Sequence, residues 1–592
     1  MGIKLAAPKI NKKHRGDVQV LRAVAVLLVI AYHLKLIKGG FLGVDIFFVI
    51  SGFVITSNLV KSQGSLKEKL REFYLRRAKR ILPASLAVVI ITALLTKIFL
   101  APIYQSRFKL DALFSSLMGA NIGFGIHNLD YLQATTSPSP FLHYWSLGVE
   151  EQFYIIWPFI FFSIIGLRKK IYAWLLPVAV VVALVSTALF PVFSFYLPTS
   201  RAFQFLFGAA LVVADKFKGD KNVLAFFGWL GIFASALLIP DTLANPNRFS
   251  MIPTICTALV IWAKAEVFDL KPLIYIGEVS FTLYLVHWPI ILLLGNGTQN
   301  IHGINIVVTL LLMVIATMAL SIFIEIPFRN QVFGVISLRG WLVILTLATV
   351  IAQLVYLLPG KSGIALDLSK PAVYTNGCHL DQRHAKLNTN CTWGNSDAQK
   401  VLLVGDSHAA QWFPALKKLA DGGAINLTSQ TKSSCPATLN QVYAAGQIDK
   451  SCNTWHQNII NLIKSSNFDY IYFSNFDNYG YRTSSNWNAG IDNFVAIASA
   501  KSKVIQILDI PKPPSDLVAC LSTNSKNLSA CDFAAPRTLR LVNPNVTYLD
   551  PTPWLCDVGI CSAYKDGVNV YRDGSHLSVT TAEKLSERLR AP

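Results

Sequence analysis

Long apolar runs recur through the first 360 residues of this 592-residue chain, and 53% of all its residues are hydrophobic. A helix of about 20 apolar residues crosses the roughly 30 Å hydrocarbon core of a bilayer. Such runs exclude a soluble globular fold for this part of the chain and predict a bundle of membrane-spanning helices. We place eleven predicted spans near residues 20–37, 41–60, 81–101, 150–167, 172–190, 201–214, 223–240, 250–263, 273–294, 303–325 and 340–358.

Basic residues set the expected orientation of these spans. The formal net charge is +20, but the Lys and Arg residues cluster in loops between the apolar runs, so we expect a lipid bilayer and no nucleic acid as their partner. The basic loops are 61–80, 168–170, 216–221, 264–271 and 328–339. All of them lie on the cytoplasmic side if the further stretch 108–126 folds back or lies in the interface. The positive-inside rule therefore favours eleven spans, a cytoplasmic N-terminus and an outer C-terminus.

The cysteines give an independent signal for the outer side. From about residue 372 the composition becomes that of an ordinary globular domain, and eight of the nine cysteines lie in this part. An even set predicts disulfides in an oxidising compartment. Zinc is the weaker alternative, because no Cys-x2-Cys pair or clustered histidines are present, and we expect no metal. We expect nearest neighbours to pair, although spacing alone does not prove it: Cys378 with Cys391, Cys435 with Cys452, Cys520 with Cys531, and Cys556 with Cys561.

The same part of the chain carries a catalytic pattern. The apolar run 401–404 predicts a buried strand, and the glycine that follows permits a sharp turn that places Ser407 at the strand's carboxyl end. Near the end of the chain, Asp573 and His576 form an Asp-x-x-His sequence. A serine hydroxyl is a poor nucleophile without a base. We predict Ser407 as the nucleophile, His576 as its base and Asp573 as the residue that orients the imidazole.

The first predicted span carries two ionisable residues. Arg22 and His33 are eleven residues apart, which is about 16 Å along a helix and about three turns, so they lie close to one face. Ionisable groups inside a membrane are costly and usually functional. The alternative is that Arg22 extends to the interface and His33 is a hydrogen-bonded packing residue.

Around this pair the sequence closely resembles the acyltransferase-3 family of multi-span membrane proteins, over roughly residues 14–340. Matching stretches are 40–53, 73–83, 143–154, 276–289 and 325–329. The family's Arg/Lys-x10-His and Arg-Arg-x-x-Arg motifs occur here as Arg22 with His33, and as Arg76, Arg77 and Arg80. The resemblance implies acetyl-CoA as a cytoplasmic donor substrate, with no tightly bound cofactor. These arginines would hold its phosphates, although ordinary positive-inside charge explains them equally well.

Three further side chains acquire expected roles from this resemblance. His33 would be a proton acceptor or a covalent acetyl carrier, and a neutral imidazole suits either role. Glu150 and Glu151, at the start of a span, would polarise or orient that chemistry. Alternatively, the two glutamates are structural partners of an arginine.

The C-terminal part resembles SGNH-type hydrolase and transferase domains, in which Ser407 matches the nucleophile block and Asp573-x-x-His576 matches the block of the other two triad residues. The resemblance implies a flavodoxin-like, three-layer α/β fold. Asn475 follows the apolar strand pattern 470–474 and is the expected oxyanion donor, with a turn-forming asparagine as the alternative. The glycine usual in the second SGNH block has no counterpart in 431–436, so we assign no donor there.

These observations divide the chain into a membrane domain over 1–340, an eleventh span and linker over 341–371, and an outer SGNH domain over 372–592. The combination resembles bacterial O-acetyltransferases that modify envelope polysaccharides such as lipopolysaccharide O-antigen. We therefore expect a multi-pass inner-membrane enzyme with a periplasmic C-terminal domain, which acetylates O-antigen or, as the second choice, peptidoglycan. A membrane-tethered carbohydrate esterase and a transporter are the alternatives.

Overall fold

The computed structural model describes residues 15–590 apart from 127–137, 166–176, 179, 183–184, 186–194, 214–219, 240–247, 265–269, 296, 300, 333, 360–363, 383, 445–446, 478–486, 515 and 536–542. The chain divides into two compact units, Met1–Gly360 and Lys361–Pro592.

The first unit is helical, and its helices are numbered here in chain order. They are α1 (Gly16–His33), α2 (Gly43–Val60), α3 (Leu66–Phe99), α4 (Gln105–Ser116), α5 (Ala120–Ile126), α6 (Tyr144–Ile165), α7 (Pro198–Val213), α8 (Lys221–Leu238), α9 (Met251–Ala263), α10 (Lys271–Leu294), α11 (Ile304–Leu320) and α12 (Leu338–Val355). A π-helical turn, Ser321–Glu325, carries α11 on into Ile326–Arg329. Aromatic and branched apolar side chains fill the interior between the helices.

Within the described residues, seven helical stretches are long and apolar enough to cross a membrane. They are Gly16–His33, Gly40–Val60, Leu66–Phe99, Lys221–Leu238, Lys271–Leu294, Ile304–Arg329 and Leu338–Val355. Ten of the eleven predicted spans overlap a described helix, and the predicted span 172–190 lies mostly outside the described residues. Because α7 and α9 have only 16 and 13 residues, the count of eleven stays a prediction.

The predicted loop 61–80 is wrong from Leu66 onward, because α3 begins there and continues for 34 residues. Ser65 and Glu68 form a capping box at its start: the Ser65 side chain accepts from the Glu68 N–H, and the Glu68 carboxylate accepts from the Ser65 N–H. Lys, Arg, Glu and Leu dominate the next turns and are strong helix formers. The basic cluster therefore lies on the end of a long helix.

The stretch 108–126 forms two short helices, α4 and α5, with Met118 in a left-handed conformation between them (φ 56°). The 12 residues of α4 rise about 18 Å, which is too short to cross the hydrocarbon core. Each helix is too short to cross the hydrocarbon core by itself, and the expectation that 108–126 folds back or lies in the interface stays a prediction.

The second unit is built on a seven-stranded sheet. Its strands are β1 (His379–Leu380), β2 (Thr392–Trp393), β3 (Gln399–Gly405), β4 (Ile425–Lys432), β5 (Tyr470–Ser474), β6 (Lys503–Ile507) and β7 (Val546–Leu549). They lie in the order β1-β4-β3-β5-β6-β7 with parallel neighbours, and β2 pairs antiparallel with β4. The five longer strands therefore run 2-1-3-4-5, which is the doubly wound order of flavodoxin-like folds.

Helices cover both faces of this sheet. They are α13 (Ser407–Ala410), α14 (Phe413–Asp421), α15 (Lys450–Ser465), α16 (Trp487–Ala498), α17 (Leu517–Thr523), α18 (Thr552–Leu555) and α19 (Val579–Lys584). Successive β3 side chains point to opposite faces. Val401 and Leu403 pack with α14, whereas Leu402 and Val404 pack with α15 and α16. The unit thus has three layers with a core on each side of the sheet.

Four disulfides hold the loops of the second unit. They join Cys378 to Cys391, Cys435 to Cys452, Cys520 to Cys531, and Cys556 to Cys561, which are the nearest-neighbour pairs. Small antiparallel ladders add Phe533–Ala534 with Cys556–Asp557 and Ile560–Cys561, Tyr564–Lys565 with Val568–Asn569, and Tyr443–Ala444 with Gln447–Ile448.

Candidate functional site

A tight turn at the end of β3 exposes Ser407 at the carboxyl edge of the sheet. Gly405 has φ +141°, and a Cβ there would lie 2.1 Å from the Ser474 carbonyl oxygen, so only glycine fits. The buried Asp406 carboxylate accepts from the N–H groups of His408 (2.7 Å) and Phe476 (2.8 Å). It thereby ties the turn after β3 to the loop after β5. These two strands flank the point where the strand order reverses, which is where doubly wound folds bind ligands.

Ser407, His576 and Asp573 meet at this edge. Ser407 Oγ lies 2.9 Å from His576 Nε2, and His576 Nδ1 lies 2.9 Å from both Asp573 carboxylate oxygens. An ionised carboxylate only accepts hydrogen bonds, so Nδ1 carries the imidazole proton and Nε2 is left to accept from the serine hydroxyl. The arrangement can therefore draw a proton from Ser407.

The surroundings hold both partners of Ser407 in the required charge states. Burial alone would raise the pKa of Asp573, but the His576 ring, the Arg572 guanidinium and the Ser575 N–H outweigh it and hold that pKa well below its usual value. Burial lowers the pKa of His576 below 6.5; nearby His408 and Arg572 lower it further, and Asp573 opposes them. His576 is therefore neutral, and able to accept a proton, at neutral pH.

A second histidine–aspartate pair lies beside the triad. His408 Nδ1 is 2.6 Å from Asp509 Oδ1, and its ring centroid is 4.6 Å from that of His576. Burial lowers the pKa of His408, but Asp509, Asp406 and Asp573 more than offset it, so the pKa lies above its usual value. No local sequence pattern revealed this pair. The histidine directly after the nucleophile was visible, but its partner is 101 positions away.

Asn475 is buried next to the Ser407 turn. A Cβ at Gly405 would lie 3.3 Å from the Asn475 Oδ1. The side-chain oxygen accepts from the Ala437 N–H (2.7 Å), and Nδ2 donates to the Ala437 carbonyl (3.3 Å). These two hydrogen bonds fix the orientation of the Asn475 amide. They use one of the two Nδ2 hydrogens. The oxyanion role of Asn475 stays a prediction.

The loop that carries Ala437 is anchored to α15 in two ways. Cys435 is bonded to Cys452, and His456 Nε2 donates to the Pro436 carbonyl at 2.8 Å. Burial lowers the pKa of His456 to about 4, which keeps it neutral. Both sulfurs approach the His456 ring at 3.6 Å, but they are consumed by the disulfide and are not thiolate ligands for a metal.

In the membrane unit, a cavity of about 410 Å³ collects several of the predicted residues. Arg22, Arg77, Arg80 and Glu150 all line it. Arg76 does not; it pairs with Glu72 on an exposed part of α3. Adjacent helix residues point about 100° apart. Arg76 and Arg77 therefore diverge, and the structure brings three of the four predicted donor-binding arginines together.

The two glutamates differ in their surroundings. Glu150 accepts hydrogen bonds from the hydroxyls of Ser51 and Tyr154, and all three side chains line the cavity. Glu151 does not line it, and its buried Oε1 has no hydrogen-bond partner among the described residues. Glu150 is therefore the one placed to act on a molecule in the cavity.

His33 is buried at the end of α1, outside the cavity lining. Its Nδ1 lies 3.0 Å from Nε2 of His287, and the His143 ring lies 5.7 Å from the His287 ring. Tyr284 connects this histidine cluster to the cavity, because it lines the cavity and its carbonyl contacts His287. His143, Tyr284 and His287 lie in the family-like stretches 143–154 and 276–289, but no sequence pattern predicted a role for them.

A family model for an acyltransferase domain, acyltransferase-3, matches residues 15–326, which is more than half of the chain. The chain belongs to the acyltransferase-3 family. A second model, for the SGNH domain that is fused to such domains, matches residues 377–591. Together with the seven apolar helices, the family makes this chain a multi-pass membrane protein.

Relatives of this acyltransferase-3 chain include two curated bacterial proteins. The peptidoglycan O-acetyltransferase OatA of Listeria monocytogenes is 31% identical over 314 residues, which are 48% of this chain and 50% of the relative. The O-acetyltransferase OatA of Staphylococcus aureus is 31% identical over 350 residues, 53% of this chain and 57% of the relative. The chain thus spans about half the length of the curated relatives it matches.

A solved structure of the periplasmic domain of a lipopolysaccharide acetyltransferase from Salmonella ser. Paratyphi A is also similar. It shares 17% identity, covers 36% of this chain and 90% of that chain, and has a TM-score of 0.27. A likeness at this score decides neither fold nor substrate.

The pH dependence of the Ser407–His576–Asp573 triad should reflect the lowered pKa of His576. His576 must be neutral to accept the Ser407 proton. The acid limb of kcat/KM for a small acetyl ester should therefore lie below pH 6.5, the ordinary value for histidine. The His408→Gln variant removes a cationic neighbour, raises the pKa of His576 and should move this limb to higher pH. Glu587→Gln, at an exposed position, is the control. An unmoved limb in His408→Gln would refute the assigned coupling.

Loss of the Cys435–Cys452 bond should slow ester hydrolysis by the Ser407–His576–Asp573 triad. Removing an oxyanion donor costs about 10²- to 10³-fold in kcat. Loosening the loop that orients Asn475 should cost part of this, about 10-fold, in the Cys435→Ser, Cys452→Ser double variant. The matched control is the Cys520→Ser, Cys531→Ser double variant, which also lacks one disulfide. Ester-hydrolysis rates of the folded proteins give the comparison, and equal losses in the two variants would count against a specific role for the loop.

Proposed function

We propose that this chain is an integral-membrane O-acetyltransferase that moves acetyl groups from cytoplasmic acetyl-CoA to hydroxyls of an envelope polysaccharide. The observation that carries the proposal is the Ser407–His576–Asp573 geometry in a unit fused to an acyltransferase-3 membrane unit. A membrane-tethered esterase would need only one membrane span, to serve as an anchor. Seven apolar helices, four of which contribute residues to a cavity lined by arginines, favour transfer over hydrolysis.

The outer unit would perform the final transfer. His576 takes the proton of Ser407 as its Oγ attacks the acetyl carbonyl, and the Asp573 carboxylate stabilises the resulting imidazolium. Asn475 and the Ser407 N–H would donate to the tetrahedral oxyanion, where one such donor contributes about 10²- to 10³-fold. Collapse leaves an acetyl-Ser407, which a sugar hydroxyl then attacks with His576 as the base.

The membrane unit would bind the donor. Acetyl-CoA is anionic and does not cross the hydrocarbon core unaided. Arg22, Arg77 and Arg80 offer guanidinium groups that suit its phosphates in the cavity, with the Glu150 carboxylate beside them. His33, behind Tyr284, would then accept a proton or carry the acetyl group outward.

The proposal includes eleven spans, a cytoplasmic N-terminus and a periplasmic C-terminus. A reporter active only in the periplasm should therefore be active when it is fused after the last residue. It should be inactive when it is fused after Gly64, in the short connection before α3. Activity in a cytoplasm-specific reporter at the C-terminus would contradict both the topology and the proposed route of the acetyl group.

O-antigen is the first acceptor we propose, because disulfides suit a periplasm. Peptidoglycan has at least equal support, since the Listeria relative is named a peptidoglycan O-acetyltransferase. The test incubates purified full-length protein with acetyl-CoA and each glycan, and detects acetylated product by mass spectrometry. Acetylation of one glycan identifies the acceptor. If all acetyl-CoA is consumed and acetate is released while neither glycan is acetylated, the result would contradict the transferase proposal and favour the esterase.

A further inference from the structure

His287 lies on α10 between two hydrogen-bond partners. Its Nδ1 is 2.5 Å from the Tyr284 carbonyl oxygen, and its Nε2 is 3.0 Å from Nδ1 of His33. A carbonyl oxygen has no proton to give, so the proton in the first contact belongs to His287 Nδ1. The helix backbone thereby settles the tautomer of this ring.

This assignment determines where the protons of His33 lie. Both rings are buried, His287 to 0% and His33 to 2% exposure, where a charged ring is costly, and a neutral imidazole carries one N–H. With its proton on Nδ1, His287 accepts at Nε2. His33 must then donate from Nδ1, and its lone pair is on Nε2.

We propose that His287 is a positioning residue that holds His33 in the Nδ1–H tautomer and makes Nε2 the nitrogen of His33 that handles the acetyl group. The inference rests on the proposed function of His33. It adds the identity of the reacting atom and of the residue that selects it.

In either role of His33, Nε2 is the reacting nitrogen and the proton on Nδ1 stays on the ring. As a carrier, Nε2 attacks the thioester carbon, the C–S bond breaks, and the thiolate departs. The product is an acetyl-imidazolium whose Nδ1 proton stays on His33 and is donated to His287 Nε2, while His287 stays neutral and donates to the Tyr284 carbonyl. As a proton acceptor, Nε2 takes the proton of the hydroxyl that attacks the thioester carbon, and the His33–His287 hydrogen bond becomes charge-assisted.

A purely structural role for His287 would be packing against His33, whose ring centroid lies 5.1 Å from that of His287. The two roles separate in a pair of variants of similar size. His287→Gln places an amide oxygen near the position of Nε2, where it can accept from His33. His287→Leu fills the same space without an acceptor.

The experiment measures acetyl transfer by the full-length protein in proteoliposomes, with KM for acetyl-CoA and kcat determined separately. His287→Leu should lower kcat by about 10²- to 10⁴-fold, the range for a general base and for a base in the wrong tautomer, with KM nearly unchanged. His287→Gln should recover most of this loss. Equal kcat in the two variants, or a normal kcat in His287→Leu, would overturn the inference.

Two parallel measurements distinguish a failure of this inference from a failure of the proposed role of His33 in acetyl transfer. If His33→Ala transfers acetyl normally, the role of His33 fails and the inference fails with it. If His33→Ala is inactive while His287→Leu is normal, only the inference fails. Solid-state NMR of the histidine ring nitrogens provides a readout that packing does not control. The proton of His33 should be on Nδ1 in the parent and in His287→Gln, and distributed over both nitrogens in His287→Leu; an unchanged tautomer in His287→Leu would also overturn the inference.

Discussion

Ser407→Ala should lower glycan acetylation by at least about 10⁴-fold while leaving membrane insertion and folding intact. The change removes one oxygen, which is the atom that would form the acetyl ester and which contacts His576 Nε2 at 2.9 Å. Ser407 is the first residue of α13, and alanine is a strong helix former, so the turn after β3 should be kept. Mass spectrometry of the glycan and hydrolysis of a small acetyl ester measure the effect.

The adjacent serine provides a matched control. Ser575 Oγ also approaches the base, but at Nδ1 (3.3 Å), which is the nitrogen held by Asp573. In Ser575→Ala the backbone N–H that donates to Asp573 remains. This variant should therefore stay within about 10-fold of the parent, since no triad atom is lost. Normal acetylation by Ser407→Ala would show that the Ser407–His576–Asp573 triad is not the transferring centre.

His33→Ala should lower transfer from acetyl-CoA to glycan by about 10²- to 10⁴-fold, the range for loss of an acid–base group. Hydrolysis of a small artificial ester by the same protein should be unchanged, because the Ser407, His576 and Asp573 side chains belong to the other unit. The two variants thus fail differently: Ser407→Ala loses both activities, and His33→Ala loses only the one that begins with acetyl-CoA.

The control for His33 is His302→Ala, which removes an exposed histidine of the same membrane unit. It should transfer acetyl at the parent rate, and acetyl-CoA binding by both variants should be retained. Full glycan acetylation by His33→Ala at normal expression would make His33 a packing residue beside Trp288 and His287.

The site residues that the sequence revealed are those set by local patterns. The apolar run before Gly405 predicted the buried strand and the turn, and the Asp-x-x-His spacing placed Asp573 and His576 on one short segment. Residues that meet only through the tertiary fold were missed. His287 lies 254 positions from His33, and no local pattern in one sequence reports such a contact.

The fold was likewise predictable from the sequence only where it depends on local patterns. The length of the apolar runs located most membrane helices, because a helix that crosses the hydrocarbon core needs about 20 apolar residues. The start of α3 differs from the predicted loop 61–80, because the charges of 66–80 resemble those of a loop, whereas Ser65 and Glu68 form a capping box that starts the helix. The exclusion of Arg76 from the cavity depends on helix rotation against neighbours, which composition does not encode.

The central claim is that acetyl groups pass from a donor bound in the membrane unit, by way of His33, to Ser407. The most direct measurement is peptide mass spectrometry of full-length protein after incubation with acetyl-CoA and no glycan. We expect acetyl on Ser407 in the parent protein and none there in His33→Ala. Equal acetylation of Ser407 in the two proteins would contradict this claim, because the acetyl group would then reach Ser407 without His33.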